Sequence, residues 1–306
     1  MVGARQARRH FLFAATGAVH VAQARHAAAS VRRHCPGLEI DLFTDDQGAA
    51  GMNSGFDRVH LLPAGMRRPK IRAMQQSRFD LTLWLDADLR LVADVRDIFD
   101  LLDRFDLALA HDPLRNSAPA RRLYRSPIPD AFPQMNAGVI GVRRTPQVTE
   151  FLESWDRAFE DHAAGVDQPS LRELLWQSDL RVAVLPPEYN LWDFRSIDRM
   201  GPEHAAPRIL HAKLFIWAPG AGGMPDEIAQ VFGASRAARI DMLISADHGL
   251  AARAGRIAQV PTGAQTLRLA AQAMLDMPRR LGQRLRAVFR RGHVRGKGQP
   301  AGSRKT

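Results

Sequence analysis

Apolar and polar residues alternate along the chain in blocks that predict strands and helices in turn. Short β-prone apolar runs are typical of strands buried on both faces, whereas apolar residues three or four positions apart predict amphipathic helices. The predicted strands are 11–16, 38–44, 58–62, 81–85, 106–110, 135–142, 181–185 and 208–210. The predicted helices are 19–34, 67–79, 92–105, a stretch from Pro146 to about Phe159, and one that follows Gln168 and runs through Trp176.

This alternation indicates an α/β fold with a Rossmann-like, mixed but mainly parallel sheet flanked by helices. Strand, helix and strand in succession favour right-handed crossovers, and ligands of such folds bind at the carboxyl ends of the strands. The chain has no G-x-G-x-x-G after the first strand and no G-x-x-x-x-G-K-[ST]. A dinucleotide-binding fold and a P-loop are therefore both disfavoured.

Length and composition indicate one large domain with an appendage. The chain has 306 residues, 45% hydrophobic and 25% charged, which is enough to bury a substantial core. No run approaches 18 apolar residues, and the start lacks the apolar segment of a signal peptide. Cys35 is the single cysteine, so no intrachain disulfide can form, and a reducing compartment fits. We expect a cytoplasmic protein.

The net charge of +11 belongs to the C-terminal part of the chain. Residues 252–306 carry thirteen Arg or Lys against one acid, so the rest is nearly neutral. We therefore predict a catalytic domain over 1–250 and a basic, helical, partly disordered tail over 251–306. In that tail an apolar strip lies under a cationic face, which is typical of a helix on an anionic membrane surface. The strip consists of Leu281, Leu285, Val288 and Phe289.

Two other interpretations of the tail remain open. It can dock on the domain as a helix, followed by disorder from Gly292 onward. Nucleic acid is the poorest candidate, because the tail has one aromatic residue and no interleaved stacking platform. We expect no nucleic-acid partner.

The strongest chemical signal is a pair of carboxylates at the end of the most apolar strand. Asp86 and Asp88 follow Leu81–Leu85, and a turn there can bring both side chains together. Two such anions are costly without a cation, and Mn²⁺ or Mg²⁺ shared with a substrate diphosphate would neutralise them. The alternative is a simple turn in which Asp88 caps a helix that starts near Val92.

Further polar residues follow the other predicted strands and helices. Gly138 would let a sugar approach the backbone, and Asn136 offers a donor and an acceptor to hydroxyls, although a plain turn also explains this motif. Lys70 and Arg72 can meet a diphosphate or form a solvated face. The segment 113–133, with five prolines and no sustained periodicity, is predicted to be a long loop that is either functional or disordered.

Taken in order, these motifs resemble the nucleotide-diphospho-sugar glycosyltransferases of GT-A fold. The closest group is the retaining one that includes glycogenin and the lipopolysaccharide galactosyltransferases, family 8. The resemblance covers roughly Phe11 to Trp217. The motifs that carry it are Lys70-x-Arg72, Leu-Asp86-Ala-Asp88, Met-Asn136-Ala137-Gly138-Val, Asp167-Gln168, Tyr189-Asn190 and a late His211.

The resemblance implies a set of site residues. It implies a divalent metal, Mn²⁺ or Mg²⁺, on Asp86, Asp88 and His211, with Asp86 also serving the donor. Lys70, Arg72 and Lys213 would serve the phosphates, although Ala212-Lys213 departs from the family's usual Gly and Lys-Pro-Trp after the histidine. Thr16, at the end of the first strand, would hold the base and ribose. The sugar pocket and catalytic residues would be Asp112, Asn136, Ala137, Gly138, Asp167 and Gln168.

The function so implied is metal-dependent transfer of a sugar from a nucleoside-diphosphate sugar, UDP-sugar favoured, to a hydroxyl. Retention is expected, with a glycan, lipopolysaccharide or lipid-linked acceptor and an enzyme located in the cytoplasm or at the inner face of the membrane. A nucleotidyltransferase that makes nucleotide sugars is one alternative, but residues 14–17 lack the Gly-rich basic loop that it needs. A non-catalytic sugar- or nucleic-acid-binding protein is another, and it would not need Asp86 or Asp88.

Overall fold

The computed structural model describes residues 7–50, 55–63, 66, 69–161, 166–217, 224–265, 267, 268 and 271. The apolar strip predicted over Leu281–Phe289 lies outside the described residues. The strands are β1 (Arg9–Ala15), β2 (Glu39–Thr44), β3 (Arg58–Leu61), β4 (Leu81–Leu85), β5 (Leu89–Leu91), β6 (Leu107–His111), β7 (Met135–Arg143), β8 (Val182–Leu185) and β9 (Ile209–His211). The α-helices are α1 (Gly17–His34), α2 (Lys70–Gln75), α3 (Asp97–Leu101), α4 (Pro146–Asp161), α5 (Gln168–Gln177), α6 (Leu214–Trp217), α7 (Met224–Phe232), α8 (Ala234–Ala246) and α9 (His248–Arg253).

Seven strands form the main sheet, in the order β3-β2-β1-β4-β7-β6-β8. All neighbours run parallel except β7, which is antiparallel to both β4 and β6. The predicted α/β class with a mixed, mainly parallel sheet is therefore confirmed. Because β7 runs against its neighbours, its first residues lie beside the last residues of β4, where Leu85 pairs with Val139.

Helices cover both faces of this sheet, as the apolar strands predicted. Alternate residues of β1 point to opposite faces, so Phe11 packs with α1 and α3 whereas Leu12 packs with α2, α4 and α5. The amino end of α4 is as the sequence predicts. The Thr145 hydroxyl accepts a hydrogen bond from the Val148 N–H at 3.2 Å, and Pro146 is the first helical residue.

The prediction for 92–105 is wrong in its first half. Instead of entering a helix, the chain forms β5 immediately after Asp88, and β5 pairs antiparallel with β9. Val92 and Val95 are buried in the extended connection, and only α3 is helical. Asp88 therefore caps no helix near Val92.

The C-terminal helices pack against this small second sheet. Phe215, Phe232 and Ile240 form one apolar cluster with Val92 and Leu210. Among the described residues, no helix is both long enough and apolar enough to cross a membrane.

The buried Asp247 fixes the entry into α9. Its carboxylate accepts hydrogen bonds from the Ala206 and Leu250 N–H groups and pairs with Arg208 at 2.9 Å. Helix α9 runs across the domain boundary expected at residue 250, and its Arg253 pairs with Asp97.

Candidate functional site

The end of β4 and the register of the second sheet bring three metal-ligating side chains together. In that sheet Leu89 lies opposite His211, so the imidazole comes beside the residue that precedes Leu89. The His211 Nε2 lies 3.3 Å from Asp88 Oδ1. One ligand atom each from Asp86, Asp88 and His211 lie within 4.8 Å of one another.

A buried arginine supports the turn between the two aspartates. The Arg90 guanidinium donates to the backbone oxygens of Ala87, at 3.2 Å, and Leu89, at 2.7 Å, and to Gln23 Oε1 at 2.9 Å. Because this side chain is fully buried and packs over the Phe215 ring, it holds the turn from below. The Ala212 N–H also donates to the Asp88 backbone oxygen at 3.0 Å.

A chain of hydrogen bonds determines which nitrogen of His211 carries a proton. The Gly138 N–H must donate, so the atom it meets at 2.9 Å is the Asn136 carbonyl oxygen. The Asn190 atom 3.0 Å from that oxygen must then be its NH₂ group, which leaves the Asn190 oxygen facing His211 Nδ1 at 2.8 Å. His211 therefore donates from Nδ1, and in the neutral ring the lone pair is on Nε2.

The Nε2 lone pair and Asp88 Oδ1 face each other, so a positive charge is needed between them. Burial raises the pKa of Asp88, but the hydrogen bond and charge of His211 outweigh burial and hold that pKa below its ordinary value. A divalent cation bound to Nε2 and the carboxylates fills the same need, so the donor set fits Mn²⁺ or Mg²⁺.

Gly138 is required because the imidazole lies directly against the backbone of β7. A Cβ at this position would lie 2.2 Å from His211 Cε1 and 2.7 Å from Nδ1. These distances are far inside van der Waals contact. The small residue therefore makes room for His211.

Lys70 forms a second charged cluster beside the first. Its buried Nζ lies 3.2 Å from Asp86 Oδ1 and 3.1 Å from Asp167 Oδ2, and it donates to the Ala137 backbone oxygen at 2.9 Å. Asp86 thus belongs to both clusters. The ammonium neutralises part of the charge of two carboxylates that lie far apart in the sequence.

A cavity of about 740 Å³ opens over both clusters. Of the residues predicted from the sequence, it is lined by Thr16, Lys70, Asp86, Asp88, Asp112, Asn136, Asp167, Gln168, His211 and Lys213. Three predicted residues are not on its wall. Ala137 and Gly138 lie behind it and contact Lys70 and His211, respectively.

Arg72 is the third, and the structure does not bring it to the cavity. Its guanidinium lies 3.4 Å from Asp156 Oδ2 on α4. Lys70 and Arg72 are two positions apart on a helix, so their side chains leave it in different directions. The alternative of a charged outer face therefore describes Arg72, whereas Lys70 points inward.

Sequence reasoning assigned no role to several residues of the site. His20, Gln134 and Trp192 line the cavity, and the Trp192 ring meets His211 edge to face at 4.6 Å. Asn190 stood in a recognised motif, but only the hydrogen-bond chain reveals its contact with His211. In the structure the Asn190 side chain is buried, and a buried amide needs hydrogen-bond partners.

Comparison with known proteins gives one family match. Residues 67–216 match the family model described as nucleotide-diphospho-sugar transferase. A comparison with curated proteins finds no match.

Among solved structures, the chain is similar to the glycosyltransferase GlyE of Streptococcus pneumoniae TIGR4. The TM-score is 0.52, with 20% identity over 78% of this chain and 64% of that one. The apo form of GlyE gives a TM-score of 0.50 and 20% identity over 78% of this chain and 63% of that one. The chain thus spans less than two thirds of the length of these structures, and the likeness is one of fold. The segment that carries Asp86, Asp88 and His211 therefore matches the nucleotide-diphospho-sugar transferase family model, and the fold around it is similar to that of a glycosyltransferase.

Proposed function

We propose that the chain is a metal-dependent glycosyltransferase that moves a sugar from a nucleoside-diphosphate sugar to a hydroxyl acceptor with retention, as in family 8. The observation that carries the proposal is the cluster of Asp86, Asp88 and His211 on the wall of a cavity of about 740 Å³. This cluster lies within the segment that matches the transferase family.

Asp86, Asp88 and the Nε2 of His211 would hold Mn²⁺ or Mg²⁺. When bound, the ion neutralises negative charge on the leaving diphosphate. Asn190 accepts the Nδ1 hydrogen, so the Nε2 lone pair of the neutral ring is directed at the aspartates, as partners behind metal-bound histidines commonly arrange. Lys70 prevents Asp86 and Asp167 from repelling each other before a cation binds.

Thr16 and Lys213 mark the donor's position. Thr16 follows the end of β1, where the fold would hold the base and ribose, and we favour a UDP-sugar. Lys213 lies two residues beyond His211 on the cavity wall, so it can meet the phosphates. Arg72 has no part in this role, because it pairs with Asp156.

The sugar would lie against Asp112, Asn136, Asp167 and Gln168. Asn136 Oδ1 already accepts two hydrogen bonds, so its NH₂ group serves a sugar hydroxyl. In the reaction the bond from the anomeric carbon to the diphosphate breaks and a bond to the acceptor oxygen forms. The acceptor's proton leaves with the nucleoside diphosphate. Asp167 or Gln168 stabilises the positive charge that develops on the sugar, and no covalent intermediate is required.

The acceptor would be a hydroxyl of a glycan, lipopolysaccharide or lipid-linked sugar. We place the enzyme in the cytoplasm, with the basic tail at the inner face of the membrane. Binding of full-length protein to anionic vesicles, weakened by salt, tests the role of the tail. Equal binding by protein truncated before Pro278 would disprove it.

A panel of UDP-, GDP- and CMP-sugars with Mn²⁺, scored for slow donor hydrolysis, tests the proposed activity directly. We expect one nucleotide class to be hydrolysed, and we expect EDTA to stop the reaction. In Asp86→Asn and Asp88→Asn the hydrolysis should vanish while the fold stays intact, because each change removes a ligand charge and relieves repulsion.

The matched control is Asp100→Asn, which removes an exposed carboxylate on α3 outside the cavity. This variant should keep full activity. His211→Ala should lower the metal affinity strongly and the melting temperature only slightly. Full activity of both aspartate variants would disprove the proposed metal site.

A further inference from the structure

A second, smaller cavity lies next to the first and is here called the annex. Its volume is about 450 Å³, and it shares Asp112 and Gln134 with the main cavity. Most of its wall comes from the loop 113–133. The two cavities meet at Asp112, on the sugar side of the site, whereas Thr16 marks the nucleotide side. A molecule in the annex would therefore reach the sugar and not the base.

The annex carries guanidinium groups without carboxylate partners. Arg115, Arg121 and Arg172 line it, and none of them forms an ion pair within the described part of the chain. Arg115 donates to the Asp130 backbone oxygen at 2.6 Å, and Arg121 to Asn116 Oδ1 at 3.3 Å. The wall holds two carboxylates, those of Asp112 and Asp130, so the guanidinium groups outnumber them.

Arg172 is the buried member of this group, and its relative exposure is 6%. It donates through Nε to the Phe132 oxygen at 2.9 Å and through Nη2 to the Pro129 oxygen at 3.1 Å. These acceptors are neutral carbonyls, so its positive charge is not compensated by them. A buried guanidinium that forms no ion pair and lies at a cavity wall favours binding of an anion.

The loop is held in place by α5, so its arginines have a defined position. Glu173, the neighbour of Arg172, accepts hydrogen bonds from the Arg125 and Ser126 N–H groups, both at 2.8 Å. Both anchoring residues are buried. The side chains of Leu123 and Ile128 add apolar surface to the wall, which suits the C–H face of a sugar ring.

We propose that the annex is the acceptor subsite and that it selects an acceptor with a phosphate or carboxylate group, which Arg115, Arg121 and Arg172 bind. The proposal depends on the proposed glycosyl transfer only in calling the bound molecule an acceptor. The binding itself is a separate property. It can be measured whether or not donor hydrolysis is found.

Calorimetric titration of full-length protein with glucose, glucose 6-phosphate and glucuronate tests the proposal. EDTA is present, so that phosphate is not drawn to a metal. We expect one or both anionic sugars to bind at least about tenfold more tightly than glucose, because hydrogen bonds from guanidinium groups to an anion are charge-assisted. The two anionic sugars show whether the annex prefers phosphate or carboxylate.

Arg115→Gln and Arg121→Gln should each weaken anionic binding about tenfold and leave glucose binding unchanged. The matched control is Arg125→Gln, which removes the same charge from the same loop outside the annex. Equal binding of neutral and anionic sugars would overturn the proposal, and so would an equal loss in the Arg125 variant. Neither result bears on the proposed donor chemistry. Absence of donor hydrolysis would disprove that chemistry separately.

Discussion

The two sides of the candidate site are built in different ways. On the side of the proposed metal site, called the metal side below, the Asp and His side chains follow strands, and the β5–β9 register together with a glycine on β7 places them within contact. On the annex side the arginines lie on an exposed loop that two buried side chains, Arg172 and Glu173, hold against α5. Backbone pairing is cooperative, so a single substitution there disturbs the whole arrangement. Side chains on an anchored surface loop can be substituted without disturbing the sheet. We therefore expect changes on the first side to abolish activity and changes on the second to tune it.

Gly138→Ala should give the largest effect. The added methyl would overlap the His211 ring, so the imidazole must leave its place beside Asp88. We expect metal affinity and donor hydrolysis to fall at least about a hundredfold. Mn²⁺ titration and a donor hydrolysis assay measure the two quantities.

Gly141→Ala is the matched control in the same strand. The atoms nearest its Cβ would be side-chain atoms of Ala108, Ile98 and Leu102, at 3.0–3.3 Å. This crowding should cost about 1–3 kcal/mol of stability and leave metal affinity alone. If both variants lose metal to the same extent, strain in β7 and not contact with His211 is the cause.

Asn190→Ala should lower metal affinity about ten- to a hundredfold. The change removes the oxygen that accepts the His211 Nδ1 hydrogen, so the ring can rotate or change tautomer. Asn116→Ala, which alters an amide on the loop, should bind metal normally. Unchanged Mn²⁺ affinity in Asn190→Ala would remove Asn190 from the metal side of the comparison.

Acidification should weaken the sheet that carries the metal side. His10 is buried between Ser77 and Thr82, and burial lowers its pKa from 6.5 to about 3, with the charge of Asp41 opposing the shift. Below pH 6.5 the unfolded chain takes up a proton at this residue and the folded chain does not, so stability is lost as pH falls towards 3. Between pH 7 and pH 5 this residue should account for about 2 kcal/mol of the loss.

Urea unfolding at a series of pH values measures this loss. His10→Asn should flatten the slope between pH 7 and pH 5, and the exposed His204→Asn should not. Equal slopes in the three proteins would mean that other groups cause the acid sensitivity.

Glu173→Gln should give the smallest effect. The neutral amide oxygen accepts the Arg125 and Ser126 N–H groups less strongly than the carboxylate, so the loop loosens. We expect the KM for an anionic acceptor to rise a few-fold with donor hydrolysis unchanged. Glu153→Gln, on the exposed face of α4, is the control. Loss of donor hydrolysis in the Glu173 variant would show that the two sides are not separable.

The residues alone were sufficient for the strands of the main sheet and for the two aspartates, whereas His211 was implied by the family resemblance. Strands such as Leu81–Leu85 are continuous apolar runs, and two carboxylates directly after such a run must come near a strand end. The reversal of β7 left no comparable signal, because a strand buried on both faces has the same composition in either direction.

The position of His211 depends on β5 and β9, two strands of three residues each. Leu89–Leu91 is too short for a hydrophobic period to be recognised. Its apolar residues are followed directly by those of 92–105, which led to the helix prediction there. The spacing of Lys70 and Arg72 on a helix gives them different directions, but the packing of α2 against the sheet and α4 decides which of the two points inward. Sequence spacing alone could not distinguish them.

The pairing of β5 with β9 also bears on the order in which the protein folds. This contact joins the two ends of a stretch that runs from residue 89 to residue 211, so a long loop must close before it forms. Closing such a loop costs entropy that local contacts do not, and long-range pairings of this kind form slowly. A growing chain on the ribosome thus completes the β1, β2 and β4 strands and both aspartates long before His211 is synthesised. The three side chains of the proposed metal site can come together only after residues 209–211 have emerged.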